Sequence, residues 1–518
     1  MWKVFVAALL VLLWISTSVA QVDTAWVRRY NGSANGSDHV SAVAIDDEGS
    51  FYVTGYSHQS GKGYDYLTIK YNPNGDTAWV RSYGLNGADV ATDIAADHGL
   101  GQVYVTGWLE TTEPGGDRTY DFATVKYDWS GNQEWVRWYD EPGEYFIDVD
   151  KAVAVAYSRG GIYVTGESWG YGTGYDYATV KYDTGGNEAW VRRYHYVSED
   201  CPKDIAADAW GNVFVTGFTW VGPDYGTSYQ TVKYSPEGAR LNVWRYEGPG
   251  HRPFNDLDVA YAVAVDSSGN AFVTGTSESG DCPDIVTIKY GTGGTPGWVQ
   301  AYGPYEASED NGYALACDDI GNVYVAGRSW APATRYDYVT IKYDGNGDQV
   351  WVARYDGGIS LEDEAWAIAL DQYGNVYVTG ASKGEGSDYD FATVKYSPQG
   401  SRLWVKRYDG LGGAKDAAWG IAVDDSGNVY VAGTSWGDGT EEDYVVIKYR
   451  QPFIPGDANG DMLVDPADVV YLINYLFRAG LPPYRPEAGD ANCDGQVAPD
   501  DVVYLINYLF RGGPPPCG

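Results

Sequence analysis

The chain is poor in cysteine, histidine and positive charge, and beyond its first twenty residues it has no apolar run of membrane-spanning length. Its five cysteines, Cys201, Cys282, Cys317, Cys493 and Cys517, are odd in number and widely scattered in 518 residues, which excludes a disulfide scaffold. The five histidines, His39, His58, His98, His195 and His251, share no recurring context. A His-Glu-x-x-His helix and a phosphate loop are both missing, so the common signatures of metalloproteases and nucleotide enzymes are absent. Lysine and arginine number 35 against 71 acidic residues, a formal charge of −36. Such a surface repels nucleic acid and anionic lipid and attracts divalent cations. Residues 1–20 read as a secretory signal, with Lys3, an apolar stretch over 4–14 and the small-residue site Ser18-Val19-Ala20. That stretch is too short to span a bilayer. The expected product is secreted, or held at a cell surface through a partner.

Repetition is what the chain has in excess. A run ending Tyr-Val-Thr-Gly, or a close relative, finishes at Gly55, Gly107, Gly166, Gly217, Gly275, Gly327, Gly380 and Gly433. A second motif, Thr-Ile/Val-Lys-Tyr, sets its lysine at Lys70, Lys126, Lys181, Lys233, Lys289, Lys342, Lys395 and Lys448, the last copy having Val446 for threonine. A third, Trp-Val-Arg-x-Tyr with variations, begins at Trp26 and recurs through Trp404. Each unit holds four short strand-like runs, joined by Asp-x-x-Gly-Asn and Asn/Asp-Gly turns. Four antiparallel strands repeating at about fifty residues imply propeller blades. The fold expected over 21–450 is therefore all-β, an eight-bladed propeller. The orphan Trp26 strand and the orphan Val446 strand should pair to close the ring, with 451–455 as a linker. The units resemble the β-propeller repeats of secreted bacterial proteins.

A polar group present in every blade serves architecture, because an active site on a ring occurs once. The recurring lysine, with an aspartate five before it as in Asp65, and the further series Asp38, Asp89, Asp150, Asp200, Asp258, Asp310, Asp363 and Asp416, thus read as a structural Lys–Asp pair or hydrogen-bond network. No catalytic residue is assigned. Glu141, Glu144 and Asp148 offer paired carboxylates, a weak signal in so acidic a chain. Trp108, Trp169, Trp220, Trp330 and Trp436 follow the glycine corners of five units. They could stack against sugars or a peptide from one rim, or pack between blades.

The last sixty-odd residues carry one segment twice, 468–478 returning letter for letter as 501–511. Each copy follows an acidic loop. The first offers Asp457, Asn459, Asp461, Asp465 and Asp468 with the Leu463 carbonyl; the second offers Asp490, Asn492, Asp494 and Asp501 with the Gln496 carbonyl. Oxygens at loop positions 1, 3, 5, 7 and 12 are what a calcium ion requires. Pro466 suits the first helical position with Asp465 as its cap, and Val469, Leu472, Ile473 and Leu476 recur at helical spacing.

This pattern over 456–518 resembles a type I dockerin, a small α-helical calcium module that plugs into cohesin domains of multi-enzyme assemblies. The resemblance implies two calcium ions, a cohesin-bearing partner, and a contact surface including Tyr471, Asn474, Tyr475, Tyr504, Asn507 and Tyr508. Position 6 is Met462 in one loop and Gly495 in the other, and position 9 is Asp465 against Ala498, so the second site should be the weaker. Positions 10 and 11, Pro466-Ala467 and Pro499-Asp500, depart from the hydroxyl pair that helps choose a cohesin. Cys493 and Cys517 bracket the second helix and are placed for a clasp in an oxidising compartment. The function expected is a non-catalytic binding or scaffold propeller docked to an extracellular assembly acting on polysaccharide. The alternatives are a glycoside hydrolase or polysaccharide lyase with its site in the central channel, and a structural protein with a calcium-stabilised tail.

Overall fold

The computed structural model describes residues 22–516, apart from positions 98, 100, 113–115, 141–148, 223–225, 250–256, 279–281, 306–307, 359–360, 385–387, 412 and 452. Residues 1–20, read above as a secretory signal, the carboxylates Glu141, Glu144 and Asp148, and Cys517 lie outside the described residues. Thr24–Gln451 form one compact unit, and Pro452–Gly518 belong to a second.

The first complete blade runs through Asp38–Ile45, Phe51–Gln59, Gly63–Tyr71 and Thr77–Tyr83, each strand antiparallel to the next. Eight such sheets form the propeller. The first strand of each sheet packs against the first strand of the next, and Asp416–Val423 returns to Asp38–Ile45, so these strands are innermost and the circle is closed. Asp23–Tyr30 pairs with Glu442–Arg450 and completes the last blade. Trp26 lies 6.0 Å from the ring of Tyr430 in that blade and 6.0 Å from Tyr71 in the first.

The motif glycines have a steric cause. In the first blade Val40 faces Gly55 and Ala42 faces Thr54, leaving Ser41 as a bulged extra residue. The same register shift occurs in all the other blades. A side chain on Gly55 would collide with the His39 carbonyl opposite, and its counterparts meet the equivalent carbonyl. The Asp-x-x-Gly-Asn turns are held by their own aspartate. Asp266 accepts from the backbone of Ser268 and Asn270 while Gly269 takes φ +80°.

The recurring lysine does not pair with the aspartate five before it, which sits at the far end of its strand. It reaches into the next blade. Lys126 Nζ donates to the Thr184 carbonyl at 3.0 Å and Trp135 Nε1 to the same oxygen at 3.1 Å. Lys181 with Trp190 clamp Pro236, Lys289 with Trp298 clamp Gly345, and Lys342 with Trp351 clamp Pro398 in the same way. Strand-end aspartates instead meet fourth-strand arginines: Arg29–Asp443, Arg193–Asp176, Arg354–Asp337 and Arg407–Asp390, at 2.6 to 2.9 Å. A hydrogen-bond network is present, its lysines serving mainly backbone carbonyls, while Lys70 and Lys448 also pair with Asp46 at 3.5 Å and Asp424 at 3.7 Å.

Gln451, assigned to the linker on sequence, belongs to the propeller. The eighth blade takes its fourth strand from the N-terminus and so has no third turn to offer. Gln451 Oε1 stands in for that carbonyl, accepting from Lys395 Nζ and Trp404 Nε1 at 3.3 Å each. The hydrophobic clusters likewise join adjacent blades, as where Tyr52 and Tyr66 meet Ala91, Val103 and Val125.

In the second unit, α1 (Pro466–Arg478), the short α2 (Pro486–Gly489) and α3 (Pro499–Arg511) surround a small core. Ala458, Val469 and Leu472 pack with their duplicates Ala491, Val502 and Leu505. The flanking Ile473 and Leu476 are only partly buried. Asp465 caps α1, accepting from Ala467 N at 2.6 Å, with Pro466 at the first helical position.

Candidate functional site

Each acidic loop is wound around its own carboxylates. Asp457 accepts from the backbone of Asp461 and Met462, Asn459 also accepts from Asp461, and Asp461 accepts from Leu463. Asp468 reaches back from α1 to accept from Asn459 and Asp465. The second loop repeats these contacts through Asp490, Asn492, Asp494 and Asp501, with Gly495, Gln496 and Ala498 donating in turn. The two loops thus turn the same set of oxygens onto their own backbone in the same pattern. Asp457 and Asp468 are buried, as is Asp501, whereas Asp494 is exposed. Burial, and then the charge of Asp457, push the Asp468 carboxyl up to about 8; burial and Asp490 raise Asp501 as well. Carboxylates forced together in this way are what a divalent cation stabilises. Hard oxygen donors in a short loop fit calcium.

The duplicates differ in their strained positions. Each loop has a left-handed residue at position 4 and another at position 6. These are Gly460 and Met462 in the first copy, and Cys493 and Gly495 in the second. Sequence comparison at position 6 alone misses that each copy has one glycine and one strained side chain. Ala498 supplies no side-chain ligand at position 9, but Asp500 beside it accepts from Asn492 Nδ2 at 3.0 Å, adding negative charge where the first copy has Ala467.

Of the expected contact residues, Tyr471 and Tyr504 are tied down, donating to the Pro482 and Pro515 carbonyls. Asn474 and Asn507 accept from Arg478 and Arg511 one turn on. Tyr475 and Tyr508 are half-buried. The most exposed apolar groups are instead Val470 and Phe477 on α1, duplicated as Val503 and Phe510 on α3, 56% and 63% exposed in each copy. They stand seven apart on one face with the asparagine between them. Cys493 is disulfide-bonded and Cys201, Cys282 and Cys317 are free; Cys517 lies outside the described residues.

On the propeller the five tryptophans are not equivalent. Trp108 directly follows its glycine, whereas Trp169, Trp220, Trp330 and Trp436 come three after theirs. Trp108 is covered edge-on by Tyr120, with Lys151 Nζ 4.5 Å from its ring. Trp169 packs on Tyr175 and Trp330 on Tyr305. Only Trp436 is exposed, at 39%. Three acidic groupings at blade junctions, Asp176/His195/Asp200, Asp337/Asp356/Asp363 and Asp390/Asp409/Asp416, each already contain an arginine ion pair.

Unit-specific carboxylates also occur on the inner strands. Asp93 and Asp204 follow the bulged residue of their inner strands, at the position Ala42 holds in the first blade, and burial raises them to about 6 and about 7. Each accepts from its own strand and from the next blade, Val155 N and Val263 N, at 2.8 Å. Both carboxylates are engaged in joining blades.

Comparison with known proteins agrees with this geometry. Residues 455–510 match the model described as Dockerin type I domain, and 407–439 match Beta-propeller repeat. No curated protein matches the chain. Similar solved structures include a eukaryotic initiation factor, 10% identical, covering 76% of this chain and 82% of that one at TM-score 0.38. Another is the Pyrococcus horikoshii acylaminoacyl peptidase, 11% identical, covering 68% and 51% at TM-score 0.37. Such scores add nothing to the fold described above. Among the described residues no helix is long and apolar enough to cross a membrane. Residues 455–510 are a type I dockerin domain, lying C-terminal to a β-propeller built from recognisable propeller repeats.

Proposed function

We propose that this is a secreted binding or scaffold propeller, delivered by its dockerin to a cohesin-bearing extracellular assembly that acts on polysaccharide. The observation that carries the reading is the exact duplication of loop contacts and helix surface. Two copies of the oxygen cradle would hold two calcium ions, the first more tightly. Asp457, Asn459, Asp461, Asp465 and Asp468 with the Leu463 carbonyl would hold one. Asp490, Asn492, Asp494 and Asp501 with the Gln496 carbonyl would hold the other. The duplicated Val470/Phe477 and Val503/Phe510 faces supply apolar anchors for a partner, as interfaces require at their centres. The propeller's repeated polar residues are spent on blade-to-blade contacts, which favours binding over catalysis.

The test is capture of the full-length protein on immobilised cohesin domains with calcium and with chelator. Calcium-dependent retention, reduced by Phe477→Ala together with Phe510→Ala, is the expected result. Retention indifferent to chelator would overturn the docking reading. Calorimetry should show two calcium sites of unequal affinity, the tighter lost in Asp457→Ala.

A further inference from the structure

We propose that the channel mouth at the Asp38 end of the propeller binds a neutral oligosaccharide, stacked on Tyr261, Tyr313, Trp366 and Trp419. This deepens the binding reading above by naming the site and the ligand class.

The bulged residue of each inner strand breaks the repeat in an ordered way. It is Ser41, Thr92, Val153 and Lys203 in the first four blades, and Tyr261, Tyr313, Trp366 and Trp419 in the last four. Half of the ring therefore presents aromatic faces where the other half does not. Trp366 and Trp419 stack at 4.2 Å with 5° between their planes, and Tyr261 meets Tyr313 edge-on at 5.7 Å. The arc continues from Trp419 to His39 at 5.3 Å, and His39 stacks on Tyr56 at 5.1 Å and 6°. All four bulge aromatics are only half-buried.

Ring closure does not require them. Blades one to four close with Ser41, Thr92, Val153 and Lys203 at the same position, and although Val153 and Trp419 touch the inter-blade cores, Tyr261, Tyr313 and Trp366 lie outside them. Half-buried rings on a channel wall keep part of their apolar surface in water, so their clustering in adjacent blades points to a ligand with flat apolar faces.

The surrounding charge narrows its chemistry. A protein of formal charge −36 disfavours an acidic glycan. A cationic ligand would compete with Arg328, which pairs with Glu364 and lies 4.6 Å from the Tyr336 ring beside this arc. Burial and Lys415 hold His39 down to about 4, so the arc is uncharged at neutral pH. A pyranose offers an apolar C–H face for an indole and peripheral hydroxyls for the Arg328–Glu364 pair.

The experiment titrates the full-length protein, by calorimetry and tryptophan fluorescence, with gluco-, xylo- and manno-configured oligosaccharides. Oligogalacturonate and oligolysine serve as charged comparators. At least one neutral oligosaccharide should bind and shift the emission. Trp366→Ala and Trp419→Ala should each weaken it by about tenfold, the loss of one or two stacking contacts. Trp366→Phe, which keeps a ring, should retain most binding, and Trp436→Ala should leave it unchanged. Silence from every neutral sugar, binding untouched in a folded Trp366→Ala/Trp419→Ala double variant, or binding of a charged comparator alone would each refute the proposal. Cohesin capture is measured separately, so failure here leaves docking standing, and failure of docking leaves this site standing.

Discussion

The propeller and the dockerin both multiply a short unit, but they complete it differently. A blade is finished by its neighbour: the lysine and tryptophan of one unit hold a turn of the next in most blades, and Gln451 takes the turn's place in the eighth. The dockerin has two copies, which share a core of six fully buried apolar residues and leave their carboxylates to repel one another. A ring can spread its unsatisfied groups over eight interfaces. A pair cannot, and it needs an ion. Large repeat arrays are stabilised by interfaces, whereas small domains need an external staple.

Breaking the ring should cost most. Deleting residues 22–31 removes Trp26 and a whole row of strand hydrogen bonds. At ~2 kcal/mol for the side chain and ~1 for each bond, the loss is roughly 5 kcal/mol or more. Calorimetric scanning should show a markedly lower propeller transition while calcium-dependent helicity of the tail persists. A variant that melts with wild type would remove closure from the account. A smaller break is available at the seam. Gln451→Ala deprives Lys395 and Trp404 of one shared acceptor in a buried site, a cost of about 1–3 kcal/mol by denaturant unfolding. Gln451→Glu should recover the Lys395 contact.

The pH response sharpens the contrast from the propeller side. Asp93 and Asp204 are raised in the folded state, so between pH ~4 and ~7 the folded chain binds more protons than the unfolded one. Their protonation therefore adds stability as pH falls through this window, and the contribution is lost as pH rises through the folded values. The propeller melting temperature should increase from pH 8 to pH 5, and less so in the Asp93→Asn/Asp204→Asn double variant. The smallest effect belongs to the tail. Met462 sits at φ +67°, and Met462→Gly relieves about 1 kcal/mol of left-handed strain. Calcium affinity of the first loop should increase severalfold by calorimetry. An unchanged affinity would mean that this strain persists equally with calcium bound.

Blade number, ring closure and the duplicated loop–helix module were legible because each is written as recurrence, and recurrence survives without coordinates. Direction was not. Lys70 and Asp65 look like partners in the sequence, yet they stand near opposite ends of one extended strand, Gly63–Tyr71, and only the packed ring shows the lysine leaving its own blade. Gln451 could not be recognised as a surrogate carbonyl, because a single side chain in place of a turn leaves no pattern. The channel aromatics were hidden for the opposite reason. They occupy the bulged position of the inner strand, whose letter changes from unit to unit, so no recurrence marks them. On α1 and α3, the apolar letters at 470 and 477 merge with the core stripe, and only their exposure separates them from it.

The place where the propeller hands on to its tail has a mechanical meaning. Glu442–Arg450 is not an edge strand: Val429–Trp436 flanks it on one side and Asp23–Tyr30 on the other. Tension applied through a docked C-terminal module would load two rows of hydrogen bonds in parallel, together with the Gln451 stitch to the seventh blade. An edge strand can peel one bond at a time, but a strand held on both sides resists as a clamp. The closing strand therefore makes the chain's start the anchor against which its end is pulled.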